Sequence, residues 1–415
     1  MNRAQANELA FDRLSGADPV LVGVQKAGEL PGFLPNMLLT SGAPMPWSDY
    51  TGLQRKAILY GAMWEGLADS VEDADRKIAA GEIVLQTTHG FGCAGVHAGI
   101  YTASMSMFVV EERATRTRGY CHFFEGNAPR RLGFGFYGDD VVAQLSFVED
   151  VLAPTIGEAI RRSRGIALEP IASRALHFGD ELHARCIAGT LLITRALLPA
   201  LFDLARERPE EVRRTVEFLE TADHFFYRVW MAACKATTRA ASGVEGSSLV
   251  TAMTFNSREF AVQVSGLGDE WFRGPHPKLE ARHLGGRWAV PDGNYTSGSD
   301  CMFSECVGLG AFASAAAFML QGYQGVTPQQ MVDHSLSMYQ ITHGEHPVYK
   351  IPFLGDRGVP LGIDVFKVAR TGILPIFEGI IVSPEGTLVG TGVARAPIEC
   401  FERAVAAHVA RYGEP

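Results

Sequence analysis

The sequence has few features that attract polyanions. Lysine and arginine total 37 residues against 46 aspartate and glutamate residues, which gives a formal net charge of −9. No basic block is interleaved with aromatic residues, so we expect no nucleic-acid partner. A small anionic substrate remains compatible with this composition, because the charge inside a cleft can differ from the net charge.

Paired cysteines and targeting segments are also missing. The seven cysteines are scattered without a C-x-x-C pair, which is typical of reduced thiols in a cytoplasmic protein. The N-terminal stretch MNRAQANELAFDRL lacks the apolar core of a signal peptide. The most apolar run, residues 307–323, is shorter than a typical membrane span and predicts a buried helix. We therefore expect a cytoplasmic protein that does not enter a membrane.

Two common enzyme motifs do not occur. The sequence has no G-x-S-x-G elbow, so a serine hydrolase of that type is not indicated. The H-E-x-x-H spacing of zinc proteases is absent as well. The glycine-rich stretch at 89–99 is not interpreted as a dinucleotide site. We accordingly predict no cofactor and no metal.

What the sequence does contain is typical of a globular α+β protein. Apolar residues make up 47% of the 415 positions and charged residues 20%, which predicts two or three domains. Segments with the period-two pattern of strands are interspersed along the chain with segments of helical spacing. The run FFYRVWMAACKA is assigned to the core. The predicted architecture has two α/β parts with mixed sheets, an N-terminal domain at 1–138 and a C-terminal domain at 244–415, flanking a central helical domain at 139–243.

The stretch HFGDELHARC at 177–186 is the first candidate for chemistry. A carboxylate beside a histidine orients the ring and raises its basicity, which suits proton transfer. We therefore predict catalytic roles for His177, Asp180, Glu181 and His183, with Arg185 binding substrate. A capping or surface patch would contain the same residue types, and a zinc site is the weaker alternative because the spacing is unusual.

Three further segments combine polar side chains with turn-forming residues. The loop at 87–99 could present backbone N–H groups to an anion, and the turn at 253–260 sets an amide beside a guanidinium. The loop at 296–312 leads into the predicted apolar helix, whose start favours phosphate, with Ser304 as its N-cap. Turn and capping chemistry would also explain these residues. The predicted substrate-binding residues here are His89, Asn256, Arg258, Ser299, Asp300, Ser304 and Glu305.

Several segments, in this order, resemble the YlbE/AllG-like family. The resemblance extends from about residue 20 to about residue 410, and its segments are specific only in combination. They are SGAPMPW, HAGIYTASMSMFVVE, ALHFGDELHAR, FFYRVWMAACK, VSGLGDEWF, GVPLGIDVFKV and GTGVARAPIECFERA. The resemblance implies an α+β fold with a small helical domain in the middle.

The same resemblance implies a reaction and partners. The family includes a subunit associated with oxamate carbamoyltransferase, which implies phosphorolysis of oxalurate to oxamate and carbamoyl phosphate. It also implies a homo-oligomer and partner subunits, including a protein similar to succinyl-CoA synthetase. Two alternatives stay open at this point: a non-catalytic scaffold subunit of such a complex, and a hydrolase of a ureido or amide compound.

Overall fold

The computed structural model describes residues 1–283, 298–383 and 388–413 of the chain. Its helices are α1 Arg3–Ser15, α2 Gly52–Trp64, α3 Val71–Ala79, α4 Asp139–Phe147, α5 Ala153–Arg162, α6 Glu169–His177, α7 Ile187–Leu204, α8 Pro209–Thr221, α9 Phe225–Ala240, α10 Phe303–Cys306, α11 Gln321–Gln324, α12 Pro328–Met338, α13 Val365–Thr371 and α14 Ile398–Tyr412. Helical spacing in the sequence predicted the run α4–α9 within residues 139–243, and this prediction is confirmed.

The strands form small mixed and antiparallel sheets. They are β1 Pro19–Lys26, β2 Met37–Thr40, β3 Val84–Thr87, β4 Cys93–Ala94, β5 Ser106–Glu112, β6 Arg118–His122, β7 Ile166–Ala167, β8 Val250–Phe255, β9 Glu259–Val264, β10 Phe272–Pro275, β11 Leu279–His283, β12 Thr342–Ile351, β13 Arg357–Ile363, β14 Ile376–Val382 and β15 Leu388–Arg395. The largest sheet has the order β4-β6-β5-β1-β7, in which only β4 and β6 pair in parallel. The α+β class is confirmed, and β8 and β9 form the predicted hairpin.

Helix α9 is the central element of the molecule. Almost all of its residues are buried, and it packs on β5 and β6 on one side and on α7 and α10 on others. Gly119 in β6 makes this close packing possible, because a Cβ there would lie 2.2 Å from the carbonyl oxygen of Ala232. The assignment of the 225–236 run to the core is therefore confirmed for most of its side chains.

The main hydrophobic cluster joins all three sequence segments. It includes Phe108 from the N-terminal part, Phe226 from the central helices and Phe377 from the C-terminal part. The division into three domains stays a prediction, and the site described below lies where the three parts meet.

The predicted helix at 307–323 is wrong. The chain forms the four-residue helix α10, then turns of 3-10 helix at Gly310–Ala316 and Phe318–Leu320, then α11. Gly308 and Gly310 have φ values of 83° and 60°, which no continuous α-helix allows. Ser304 therefore lies inside the four-residue α10 and is not an N-cap, and the long helix whose start was predicted to bind phosphate does not form.

One described helix, Ile187–Leu204, is long and apolar enough to cross a membrane by length and composition. Its buried face, which includes Ile193 and Leu197, belongs to the main hydrophobic cluster. A core helix of a globular protein has this same pattern, so the observation is weak support for a membrane span.

Candidate functional site

A cavity of about 560 Å³ lies at the junction of the three parts. We call it the central cavity; this volume is in the range of small-molecule sites. Its wall is formed by the loop after β6, the start of α9, the turn after α6, the residues before α10, and strand β14. The wall is mostly apolar, with a few polar side chains that converge on the interior.

Two guanidinium groups, that of the half-buried Arg131 and that of the buried Arg228, contribute positive charge to the cavity wall; we call them the guanidinium pair. Arg228 is 3% exposed, and its Nη1 donates to Nε2 of His122 at 2.9 Å. Arg131 lies 4.1 Å from the centre of the Phe134 ring, and its Nη1 donates to the carbonyl oxygen of Gly126.

Neither arginine forms an ion pair within the described part of the chain, although the Glu125 carboxylate is close enough to raise the pKa of Arg131, and the Nε of each arginine has no hydrogen-bond partner there. Burial lowers the pKa of Arg131 to about 10, so it remains charged at neutral pH. Burial and the nearby Arg228 hold the pKa of His122 well below its ordinary value, so this ring is neutral and accepts from the guanidinium. Buried charges are costly without partners, and this wall is therefore suited to an anionic ligand.

Another part of the cavity wall is acidic. Nδ1 of His183 lies 2.7 Å from Oε1 of Glu305, and Glu378 supplies a second carboxylate from β14. One possible ligand atom from each of these three side chains lies within 4.8 Å of the others, and all three side chains are buried. We call His183, Glu305 and Glu378 the His183 cluster. Tyr227 stacks on the His183 ring with the ring centroids 5.6 Å apart.

The electrostatics of the His183 cluster follow from burial and from close charges. Burial works against a charged His183, but Glu305 and Cys301 outweigh it, so the pKa of His183 is raised well above 6.5. Burial raises the pKa of Glu378. Burial and then the Glu378 charge hold the pKa of the neighbouring Glu181 well above its ordinary value. The cluster thus contains more carboxylates than one imidazolium can neutralise.

The stretch HFGDELHARC divides its roles between folding and the cavity. Asp180 Oδ2 accepts from the backbone N–H of Gly189 at 2.9 Å and so caps α7. Glu181 accepts from the backbone N–H groups of His183 and Arg185, both at 2.6 Å, and closes the turn. This turn directs His183 into the cavity, so Asp180 and Glu181 position the histidine.

The structure separates His177 and Arg185 from the cavity. His177 ends α6 at the surface, where its Nδ1 lies 2.8 Å from the Ser173 carbonyl oxygen. Arg185 pairs with Asp180 at 3.2 Å and does not line the cavity. We do not include either residue in the function proposed below.

The loop residues predicted to bind substrate also separate into two groups. Ser299 lines the cavity, and Glu305 belongs to the His183 cluster. Asn256 instead accepts from the backbone N–H groups of Arg258 and Glu259, and Arg258 pairs with Asp49 at the surface.

Ser304 also has a structural contact, because its hydroxyl donates to the Leu182 carbonyl oxygen at 2.7 Å. This bond ties α10 to the turn that carries His183. The first two residues of the predicted 296–312 loop lie outside the described residues.

His89 and Asp300 form a second buried centre with Lys235, which we call the Asp300 centre. Lys235 Nζ lies 3.1 Å from Nδ1 of His89, and Nε2 of His89 lies 3.0 Å from Asp300. The Asp300 carboxylate also accepts from the hydroxyls of Thr88 and Thr254 and from the backbone N–H groups of Gly42 and Gly95. Burial alone would raise the pKa of Asp300, but His89 and the hydroxyl donors hold it well below its ordinary value.

The loop at 89–99 contributes Val96 and His97 to the wall of the central cavity, and its role in anion binding stays a prediction. Gly90, Gly92 and Gly95 do have the G-x-G-x-x-G spacing of dinucleotide sites, but the chain continues into the two-residue strand β4. Without a helix at this point there is no N-terminus to hold a pyrophosphate. The backbone N–H of Gly95 is used by Asp300.

Among the cavity residues that sequence reasoning missed, four carry the chemistry described here: Arg131, Arg228, Tyr227 and Glu378. Two of them had a readable signal. Arg228 is a lone charge within the aromatic run FFYRVWM, and Glu378 is a lone carboxylate within the apolar strand PIFEGIIV. A charged residue that interrupts a buried pattern needs a partner or a function. Arg131 and Tyr227 gave no comparable signal.

Comparison with known proteins identifies the class. A crystal structure of a conserved protein of unknown function from Enterococcus faecalis V583 has the same fold, with a TM-score of 0.92, 33% identity and coverage of 98% of both chains. The family described as oxamate carbamoyltransferase subunit AllG matches residues 83–292.

Two Escherichia coli K12 proteins are similar over almost the whole chain. The oxamate carbamoyltransferase subunit AllG is 33% identical over 410 residues, which is 97% of each chain. The uncharacterized protein YahG is 34% identical over 413 residues, 99% of this chain and 87% of that one. The chain therefore belongs to the AllG family, as the resemblance in its sequence implied.

Proposed function

We propose that this chain is a carbamoyltransferase subunit whose central cavity binds a small ureido acid together with phosphate. The observation that carries the proposal is the guanidinium pair, two positive charges on the wall of a cavity of about 560 Å³ that have no ion-pair partner among the described residues. Guanidinium groups bind carboxylate and phosphate through paired hydrogen bonds. The name of the relative AllG supports the same class of reaction.

The specific reaction that we propose is oxalurate plus phosphate giving oxamate plus carbamoyl phosphate. A phosphate oxygen attacks the ureido carbonyl carbon, and the bond from that carbon to the oxamate nitrogen breaks. The oxamate nitrogen takes up a proton as it leaves. Positive charge near the attacking phosphate and a donor near the developing oxyanion both lower the barrier.

The two sides of the cavity divide this work. Arg131 and Arg228 hold the substrate carboxylate and the phosphate. The ureido group then faces the acidic side, where Tyr227 has a buried hydroxyl without a hydrogen-bond partner among residues 1–283, 298–383 and 388–413. Tyr227 and His183 are the groups available there to deliver the proton to the leaving nitrogen.

The assembly and the compartment belong to the proposal as well. The relative is named as a subunit, and we infer that this chain also acts with partner subunits, including the homo-oligomer and the succinyl-CoA-synthetase-like protein expected above. We place the reaction in the cytoplasm, in keeping with seven free and buried cysteines. Copurification of the tagged chain with its partners tests the assembly.

The function is tested by measuring carbamoyl phosphate formation from oxalurate and phosphate, with the partner subunits present. Arg228→Met should lower kcat/KM about 10- to 100-fold, the loss expected for a charge-assisted hydrogen bond. Lys235→Met is the matched control: this buried cation lies seven residues along the same helix, in the Asp300 centre, and should leave kcat/KM unchanged.

Three results would contradict the proposal. Turnover without phosphate would indicate a hydrolase, and equal rates for the wild-type protein and a folded Arg228→Met variant would remove the guanidinium pair from the reaction. Full activity of the partner subunits in the absence of this chain would make it a scaffold.

A further inference from the structure

The His183 cluster has an uneven balance of charge. Three buried carboxylates, Glu181, Glu305 and Glu378, surround one imidazole. In the described part of the molecule, neither Glu305 nor Glu378 forms an ion pair with a lysine or an arginine. Burying carboxylates without enough countercharge is costly, so such a cluster either holds protons or binds a cation.

Two carboxylate oxygens of the cluster are left without hydrogen bonds. Oε2 of Glu305 and Oε2 of Glu378 are buried, in residues that are 1% and 0% exposed, and neither accepts from an N–H or hydroxyl donor in the structure as described; the polar group against Glu378 is the Glu181 carboxyl. Buried polar atoms are almost always satisfied in native proteins, which makes two exceptions in one cluster informative. Both atoms belong to side chains that already lie within 4.8 Å of His183.

The remaining oxygens are held by neighbours that fix the carboxylates in place. Oε1 of Glu305 accepts from the backbone N–H of Ala311 at 3.1 Å, and Oε1 of Glu378 accepts from the Gln324 amide at 2.7 Å. Gly310 is required here, because a Cβ at this position would lie 2.3 Å from Oε1 of Glu305. Metal ligands are typically oriented by outer contacts of this kind.

We propose that His183, Glu305 and Glu378 form a binding site for a divalent first-row transition-metal ion, with an open coordination position towards the central cavity. One imidazole and two carboxylates are a donor set that zinc, manganese and iron accept. Ligand atoms around tetrahedral zinc lie about 3.4 Å apart. His183 Nδ1 and Glu305 Oε1 are hydrogen-bonded at 2.7 Å, so these two atoms must exchange that bond for the ion and move apart when both bind it.

The side of the site that faces the cavity gives the ion access to a ligand. His183 and Glu378 both line the cavity wall, whereas Glu305 lies behind them. Three protein ligands with one open position are the arrangement of catalytic zinc sites. In the reaction proposed above, an ion at this position would polarise the ureido carbonyl, but the binding site itself does not depend on that reaction.

Calorimetric titration of the chelator-treated full-length chain with Zn²⁺, Mn²⁺ or Mg²⁺, without substrate, tests the site. We expect one equivalent to bind, with affinity decreasing from Zn²⁺ to Mn²⁺ to Mg²⁺. Glu378→Gln and His183→Gln should each weaken Zn²⁺ binding by about 100-fold or more. His346→Asn is the matched control, since this buried histidine lies outside the cluster and should leave binding unchanged.

Absence of saturable binding of all three ions below about 1 mM would overturn the proposal. Unchanged Zn²⁺ affinity in both cluster variants would do the same, because the ion would then be bound elsewhere. Circular dichroism identifies variants that fail to fold. If His183→Gln fails to fold, the nearly isosteric Glu378→Gln variant still tests the site. Since no substrate is present, failure of the carbamoyl reaction leaves this result intact.

Discussion

Two buried polar centres on the same helix differ in how completely their hydrogen bonds are made. Arg228 and Lys235 lie seven residues apart on α9, so both side chains leave the same face. Lys235 points into the Asp300 centre, where one carboxylate accepts from five donors. Arg228 points to the central cavity, where its Nε has no partner within the described residues.

The difference separates residues that hold the fold from residues that are free to bind. A carboxylate with five donors has no lone pair left for a ligand, and removing it leaves those donors buried and unpaired. The guanidinium pair and the His183 cluster instead keep unsatisfied atoms beside a cavity. The type of residue is similar in both centres, and only the partners distinguish their roles.

The largest expected effect is the loss of stability on removing Asp300. Asp300→Ala leaves His89, two threonine hydroxyls and two backbone N–H groups without their shared acceptor, and we expect a loss of about 4 kcal/mol in the free energy of unfolding. Urea unfolding followed by circular dichroism measures it. A loss below about 1 kcal/mol, the size of one ordinary hydrogen bond, would mean that this centre does not hold the fold.

Removing a member of the guanidinium pair should weaken ligand binding and leave the stability of the fold largely unchanged. Arg131→Met is expected to weaken phosphate or oxamate binding about 10- to 100-fold, while the free energy of unfolding changes by less than about 1 kcal/mol because Arg131 forms no ion pair among the described residues. Calorimetric titration and urea unfolding of the same preparation test both parts. A destabilised variant with unchanged anion affinity would place Arg131 with the structural residues.

His346 extends the comparison to a satisfied histidine. Its Nδ1 accepts from the backbone N–H groups of Val348 and Tyr349, both at 3.0 Å, and burial lowers its pKa to about 3. The neutral ring therefore stabilises the fold fully above pH 6.5, and this contribution is lost as the pH falls towards 3.

Between pH 6.5 and pH 5 the loss from His346 amounts to about 2 kcal/mol. His346→Asn keeps an acceptor but does not titrate, so its unfolding free energy should fall less over this interval than that of the wild-type protein. If the unfolding free energies of the two proteins fell by the same amount over this interval, His346 would not be held neutral by the fold.

The smallest expected effect concerns Glu378. Without added cation at pH 8, Glu378→Gln should stabilise the chain by about 1 kcal/mol, because an amide of the same shape replaces one of several buried carboxylates. Asp300→Asn makes the same chemical change in the Asp300 centre, and there we expect the free energy of unfolding to fall. Loss of stability in both variants would show that Glu378 is as fully compensated as Asp300.

Much of the fold could be predicted because its signals are local. The helical spacing of α4–α9 and the alternation around the β8–β9 hairpin survive in the structure, since both patterns reflect which face is buried. The apolar run at 307–323 misled because its glycines, not its hydrophobicity, determine the backbone. The apolar composition correctly indicates that this segment is buried, but it does not indicate that the backbone turns at Gly308 and Gly310.

The site could be predicted only in part because hydrogen-bond partners are not local. Glu181 and His183 are neighbours in the sequence, yet one closes a turn and the other faces a cavity. Asp300 looks like Glu305 in the sequence, but five donors from distant segments occupy it. Arg228 was hidden in an aromatic run, and only the folded chain shows that nothing in the described structure pairs with its charge.

The central claim is that the cavity between the guanidinium pair and the His183 cluster is where the anions bind. A crystal structure of the chain with oxamate and phosphate tests it most directly. We predict that both anions lie in this cavity, with at least one of them in contact with Arg131 or Arg228. Binding of both anions elsewhere, for example at the surface beside Arg258 or beside Arg185, would contradict the account.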